Sequence, residues 1–125
     1  MGDKKFQVSV ISPEKVLYSG EATHVVLPGV DGLFGILAGH APLVAELSIG
    51  ILRIENGIEE IKMIIDGGFA QIKEDKLNIL ANGGDLLQDL NPAKIQKMLE
   101  QAERLSGTNR ELELKRAKAR QKVLN

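Results

Sequence analysis

The residues best suited to chemistry in this sequence lie close together, in "VDGLFGILAGHAPLVAELSIG" at residues 30–50. His40 could serve as a general base, histidine being the side chain suited to that work near neutral pH, with Asp31 as the carboxylate that orients it. Ser48 is the one hydroxyl of the stretch that could act as a nucleophile, and nothing beside it in sequence supplies activation. Gly29, Gly32, Gly35 and Gly39 are spaced by three, three and four. A phosphate cradle needs GxxxxGK[ST], or GxGxxG between a strand and a helix, and neither pattern is present. Turns and close backbone approach explain these glycines better than a bound nucleotide. With two histidines, His24 and His40, no cysteine and no recognisable carboxylate spacing, a metal site is not expected. A contact surface is favoured over two other readings: a small hydrolase built on Asp31 and His40, and a free ligand-binding sandwich with a basic, nucleic-acid-binding tail.

Those residues must be held by the elements around them. Over the first 90 residues, short alternating runs are separated by turn signals. Phe6, Val8 and Val10 alternate with Gln7 and Ser9, and Ser12-Pro13 stops the strand. A second strand is expected at 16–18, breaking at Ser19-Gly20, and a third from Thr23 to Leu27 before Pro28-Gly29. In "ILRIENGIEEIKMII" the Asn56-Gly57 pair predicts a type I′ hairpin joining Ile51–Glu55 to Ile58–Ile65. Glu74-Asp75 predicts another turn, with 69–73 pairing with 76–80. So many short antiparallel strands in so few residues predict a sandwich or flattened barrel.

After Gly83-Gly84 the period changes to about 3.6 residues. Asn91 suits an N-cap and Pro92 the first helical position. Ile95, Met98, Leu99, Ala102 and Leu105 then form one apolar stripe. Ser106-Gly107 should end that helix, with Thr108 or Asn109 capping a second. The second is rich in Lys and Arg, with a thinner apolar face around Leu114, Ala117 and Leu124. Two helices joined by so short a turn should fold back as an antiparallel hairpin.

Charge divides along the same boundary. Residues 1–91 hold 7 Lys and Arg against 13 Asp and Glu, net −6, while residues 92–125 hold 9 against 4, net +5. The two parts of this 125-residue chain therefore suit different partners. The basic tail has no aromatic residue to stack on bases, since none follows Phe69, so nucleic acid is not expected as a partner. No run approaches the roughly 18 to 20 apolar residues of a membrane span, and "MGDKKFQVSV" enters alternation with no apolar secretory region. The expectation is a chain that is neither inserted in a membrane nor exported. Met1-Gly2 is not read as a myristoylation signal, because Phe6 stands where Ser or Thr is required.

Nearly the whole chain resembles one family, the epsilon subunit of F-type rotary ATP synthases. The resemblance is carried by "FQVSVISPEKVLYSGEATHVVLPGVDGLFGILAGHAPLVAELSIGILRI", with its S-P-E…S-G-E entry, G-x-x-G-x-x-G-I-L turn, H-A-P-L and L-x-x-G-x-L-R-I strand. "IDGGFAQIKEDKLNILAN" and "LELKRAKARQKVLN" are similar to its later blocks. The resemblance implies an α+β protein: an N-terminal antiparallel β-sandwich of about ten short strands at residues 1–88, which docks on the rotor, and a C-terminal regulatory two-helix hairpin at 89–125.

It implies a central-stalk subunit without a catalytic site, linking the gamma shaft to the c-ring so that ion flow down its gradient drives ATP synthesis from ADP. The chain would sit peripherally on the cytoplasmic side of a bacterial plasma membrane, less readily on an organelle membrane. Asp31, Leu33 and Phe34 would lie at the c-ring and gamma contact, with His40 near the same end. Where some members carry an acidic residue, Leu33 stands here, so apolar contact by Leu33 and Phe34 would replace a salt bridge.

The helices would rest on the sandwich or extend toward the catalytic beta subunits and the alpha subunits to restrain hydrolysis, presenting Arg116 and Arg120 to acidic segments. In ATP-sensing members an I-D-x-x-R-A motif opens the first helix. Here Asn91 replaces its Asp and Lys94 its Arg, and Lys cannot make the bidentate fork of Arg. That departure speaks against bound ATP, so no cofactor is expected, although Arg116 and Arg120 keep the phosphate-facing half.

Overall fold

The computed structural model describes residues 4–124; Met1 and Gly2, on which the lipidation reading turned, lie outside them. The chain forms two compact units, one ending at Leu86 and the other beginning at Leu87. The first contains eight strands: β1 (Phe6–Ile11), β2 (Val16–Ala22), β3 (His24–Gly29), β4 (Gly32–Leu37), β5 (Leu43–Glu55), β6 (Glu60–Lys73), β7 (Lys76–Ala81) and β8 (Gly84–Leu86). Their order is β2-β1-β7-β6-β5-β3-β4, with β8 on β6.

Eight strands stand where about ten short ones were expected, because β5 and β6 are 13 and 14 residues long and each serves both layers of the sandwich. The first half of β6 pairs with β8 and its second half with β7. At the change-over, Gly67 and Gly68 have φ of 84° and 144°. A Cβ on Gly68 would collide with the Leu80 carbonyl oxygen, so only glycine fits where β6 turns from one layer to the other. Counted by halves, the two long strands give four runs, and the sandwich has ten.

Three local expectations are corrected. The sheet is mixed, because β1 lies between β2 and β7 and is parallel to β7. Ser19-Gly20 does not break β2: Gly20 pairs opposite Val8 and the strand runs on to Ala22. The Asn56-Gly57 turn is wider than a type I′ loop. Glu55 pairs with Glu60, Asn56 N–H donates to the Glu59 carbonyl at 3.1 Å, and only Gly57 of the pair has positive φ. Register decides this. The observed pairing sets Ile54 opposite Ile61 and Leu52 opposite Met63, whereas a two-residue loop would face Ile54 with Glu59. Ile58 is left fully exposed in the loop as a result.

Glu74-Asp75 forms the expected tight turn, with Lys73 opposite Lys76 and φ of 51° and 57° at its two residues. The core follows the period of two: Val8, Val10, Ala70, Ile72, Leu77 and Ile79 face Val25, Leu27, Ile36, Leu52, Ile54, Met63 and Ile65 within one buried cluster.

In the second unit a 3-10 turn at Leu87–Asp89 leads to α1 (Pro92–Glu103) and α2 (Gly107–Leu124). Asn91 caps α1, its Oδ1 accepting from Lys94 N–H at 2.8 Å, and Pro92 opens the helix. Helix α2 already begins at Gly107, so Thr108 and Asn109 lie inside its first turn instead of capping it. Among the described residues no helix is long and apolar enough to cross a membrane.

Candidate functional site

The stretch that opened the sequence reading folds as the β3–β4 hairpin and the start of β5. Gly29 pairs with Gly32, so the turn proper is Val30-Asp31, with Gly32 at φ 127°. Leu33 and Phe34 follow in β4 and, being neighbours in a strand, point to opposite faces. Leu33 stands outward, 72% exposed. Phe34 is half-buried against the core, its ring lying over Gly29: a Cβ on Gly29 would come within 2.9 Å of the ring and 2.8 Å of the Gly32 carbonyl oxygen. Leu33 and Val30, which is also exposed, are therefore the apolar side chains this edge turns to solvent, while Phe34 braces the turn from inside.

His40 lies outside the β3–β4 turn itself. It follows β4, its N–H donating to the Leu37 carbonyl at 3.2 Å, at the end of that strand opposite the Val30-Asp31 turn. Its Nδ1 lies 2.6 Å from the Ala41 carbonyl oxygen, which can only accept, so Nδ1 carries the proton. Ser48 spends its hydroxyl on the Pro28 carbonyl at 3.3 Å. Asp31, His40 and Ser48 thus form no catalytic arrangement, and the hydrolase reading is set aside. Among the described residues no group of three or more His, Cys, Asp or Glu is placed to hold a metal ion.

On the hairpin's outer flank, the His24 ring lies over Gly35. Next to it Arg53 Nη2 donates to Glu60 Oε2 at 2.8 Å, and that hydrogen bond, reinforced by the guanidinium charge, holds the Glu60 carboxyl below the ordinary carboxylate range.

A second exposed apolar surface was not anticipated from sequence. Cross-strand registers align Val16 with Ile11, Ile11 with Leu80, and Leu80 with Phe69. All four are exposed, so an unbroken apolar row crosses β2, β1, β7 and β6 over about 14 Å. Glu46 stands opposite Phe69 and ends the apolar row at β5. The signal was present in the alternation, where Phe69 and Leu80 occupy outward positions of strands whose other outward residues are polar. What was invisible was that four strands bring these positions into one line.

In the helical unit, Arg116 Nη1 donates to Glu113 Oε1 at 2.9 Å, and Arg120 Nη1 to the Arg116 carbonyl at 3.0 Å. Arg120 is 2% exposed, so in this conformation neither guanidinium is held out as a free cation. The start of α1 meets the end of α2, as an antiparallel pair requires, in a cleft of about 170 Å³ lined by Pro92, Ile95, Gln96, Leu99, Gln121 and Leu124. No Lys or Arg lines it, so it does not suit a polyphosphate. Lys94, in the first turn of α1, and both arginines lie outside that lining.

Comparison with known proteins decides the family. The family model described as ATP synthase, Delta/Epsilon chain, beta-sandwich domain matches residues 5–84. The ATP synthase epsilon chain of Leptospira interrogans serovar copenhageni is 48% identical over 106 residues, covering 84% of this chain and 83% of that one. That of Leptospira borgpetersenii is 46% identical over 118 residues, covering 93% and 92%. The chain belongs to the ATP synthase epsilon-chain family. As a member it is a stalk subunit of the complex and not one of its catalytic subunits.

The fold agrees with that membership. A chain in the cryo-EM structure of the Euglena gracilis mitochondrial ATP synthase, an assembly of OSCP, F1 and c-ring, matches with a TM-score of 0.76 at 22% identity, covering 97% of this chain and 82% of that one. One from the central stalk and c-ring of the Tetrahymena thermophila mitochondrial enzyme matches with 0.66 at 13%, each chain covered in full.

Proposed function

We propose that this epsilon chain joins the gamma shaft to the c-ring, so that ion flow through the ring turns shaft and ring together and drives ATP synthesis from ADP. The observation that carries the reading is the pair of exposed apolar surfaces on one small sandwich. Such contiguous patches mark interfaces more often than free surface. The β3–β4 edge, with Leu33, Val30 and Asp31, suits a narrow contact with the ring. The row Val16–Ile11–Leu80–Phe69 suits a broad, flat apolar partner, and gamma is assigned to it. The chain would then lie peripherally, on the cytoplasmic face of a bacterial membrane.

The helices add regulation in this proposal. By extending toward the alpha and beta subunits they would bring Arg116 and Arg120 to acidic segments and restrain ATP hydrolysis, with no bound nucleotide required. Binding to isolated gamma tests the assignment of faces: Leu80→Glu with Phe69→Glu should weaken that complex at least tenfold, about 1.4 kcal/mol, while Leu33→Glu leaves it unchanged. The reverse pattern would reject the assignment.

A further inference from the structure

An asparagine followed by glycine can be attacked by its own main chain, because glycine has no Cβ to keep its nitrogen away from the side-chain amide carbon. The sequence contains two such pairs, Asn56-Gly57 and Asn82-Gly83. The fold treats them differently, and exposure is not the reason, since Asn82 is itself exposed.

Asn82-Gly83 lies where β7 passes into β8, and it is clamped on both sides. Asn82 N–H donates to the Gly67 carbonyl and Asp66 N–H donates to the Gly83 carbonyl, each at 2.9 Å. The Asn82 side chain is engaged as well, its Nδ2 donating to the Asp66 carbonyl at 3.4 Å. Space is also short: a Cβ on Gly83 would come within 2.6 Å of Asp66 Oδ2. Turning this peptide toward the side-chain amide would pull against bonds that tie it to β6.

Asn56-Gly57 lies in the loop between β5 and β6, with Gly57, Ile58 and Glu59 all exposed. Gly57 has φ of 103°, and a Cβ there would meet nothing within 4 Å, so a ring can close without displacing a neighbour. The printed bonds of Asn56 reach one residue of the same loop. Its N–H donates to the Glu59 carbonyl at 3.1 Å, and Glu59 N–H donates to its Oδ1 at 3.3 Å. Such a loop opens locally without disturbing the strands. The second bond also points a donor at the oxygen that gains charge when the amide carbon is attacked.

We propose that Asn56 is a site of spontaneous deamidation in the folded chain and that Asn82 is protected. The Gly57 nitrogen loses its proton to solvent and forms a bond to Asn56 Cγ. The Cγ–Nδ2 bond breaks and ammonia leaves, giving a five-membered succinimide. Water then opens the ring. Cleavage at Cγ gives aspartate, and cleavage at the main-chain carbonyl gives isoaspartate, with the chain routed through the former side chain. Either product changes the formal net charge from −1 to −2, beside Glu55, Glu59 and Glu60. Isoaspartate also adds a methylene to the main chain, in the loop that sets Glu55 opposite Glu60.

The test incubates the full chain at mildly alkaline pH, folded and in urea, and follows both pairs by peptide mapping with mass spectrometry. In the folded chain Asn56 should react at least about tenfold faster than Asn82, a barrier difference of about 1.4 kcal/mol. In urea the two rates should converge, because the clamp on Asn82 is gone. Asn56→Gln should abolish the more acidic species on ion exchange. Three results would overturn the proposal: Asn82 reacting as fast as Asn56 in the folded chain, no reaction at Asn56 while the unfolded chain reacts, or a preference for Asn56 that persists in urea and so owes nothing to the fold.

Discussion

Single residues decide what the hairpin edge offers. Leu33 is the exposed member of the pair and Phe34 the internal one, and the two should respond to mutation in opposite ways. Leu33→Glu changes a solvent-facing side chain and should leave thermal stability within about 0.5 kcal/mol, while weakening attachment to the c-ring. Gly29→Ala should do the reverse to the fold. Its methyl group would press on the Phe34 ring and the Gly32 carbonyl, and strain of this kind costs about 1–3 kcal/mol. Chemical denaturation of the two variants checks both, and equal stabilities would contradict the division of roles. Sequence alone placed both residues at the turn; it could not separate them, because the face each takes depends on where the turn begins. Gly29 pairing with Gly32 settles that.

At the scale of elements, the strands and helices were legible wherever one signal acted alone. Glu74-Asp75 sits between cleanly alternating runs, and the tight turn forms there although both residues must adopt positive φ. The strain is testable: Glu74→Asn, which tolerates that conformation, should stabilise the chain by several tenths of a kcal/mol to about 1 kcal/mol. An unchanged or lower stability would deny it. Asn56-Gly57 misled because two signals competed. The local preference for a two-residue loop lost to apolar pairing of Ile54 with Ile61 and Leu52 with Met63. The Arg53–Glu60 contact belongs to the same register. With the Glu60 carboxyl held below its usual range, whatever support that contact gives is present at neutral pH and lost as pH falls through the lowered value.

The α1 cap was read correctly because Asn91-Pro92 carries two compatible start signals. Asn91→Ala should cost about 1 kcal/mol, seen as faster amide exchange in the first turn of α1. The apolar row Val16–Ile11–Leu80–Phe69 escaped the sequence reading, since parallel pairing of β1 with β7 has no local signature. The mid-strand change of layer escaped for a related reason: Gly67-Gly68 reads locally as a break, and only long-range pairing makes it a continuous strand.

At the scale of the whole molecule, the sequence already divides a net −6 segment from a net +5 one, and the proposal gives the two separate duties. Ending the chain after Asp89 removes α1 and α2 and leaves all eight strands. Assembly with gamma and the ring should survive this truncation and ATP hydrolysis should rise. An unchanged rate would remove the regulatory duty from the helices without touching the coupling duty of the sandwich. Coupling itself is the central claim, and reconstitution tests it most directly. ATP synthesis driven by an imposed ion gradient should be measured in vesicles containing the complete complex with and without this chain. The account predicts that its omission leaves catalytic hexamers able to hydrolyse ATP while synthesis is largely lost; undiminished synthesis without it would contradict the account.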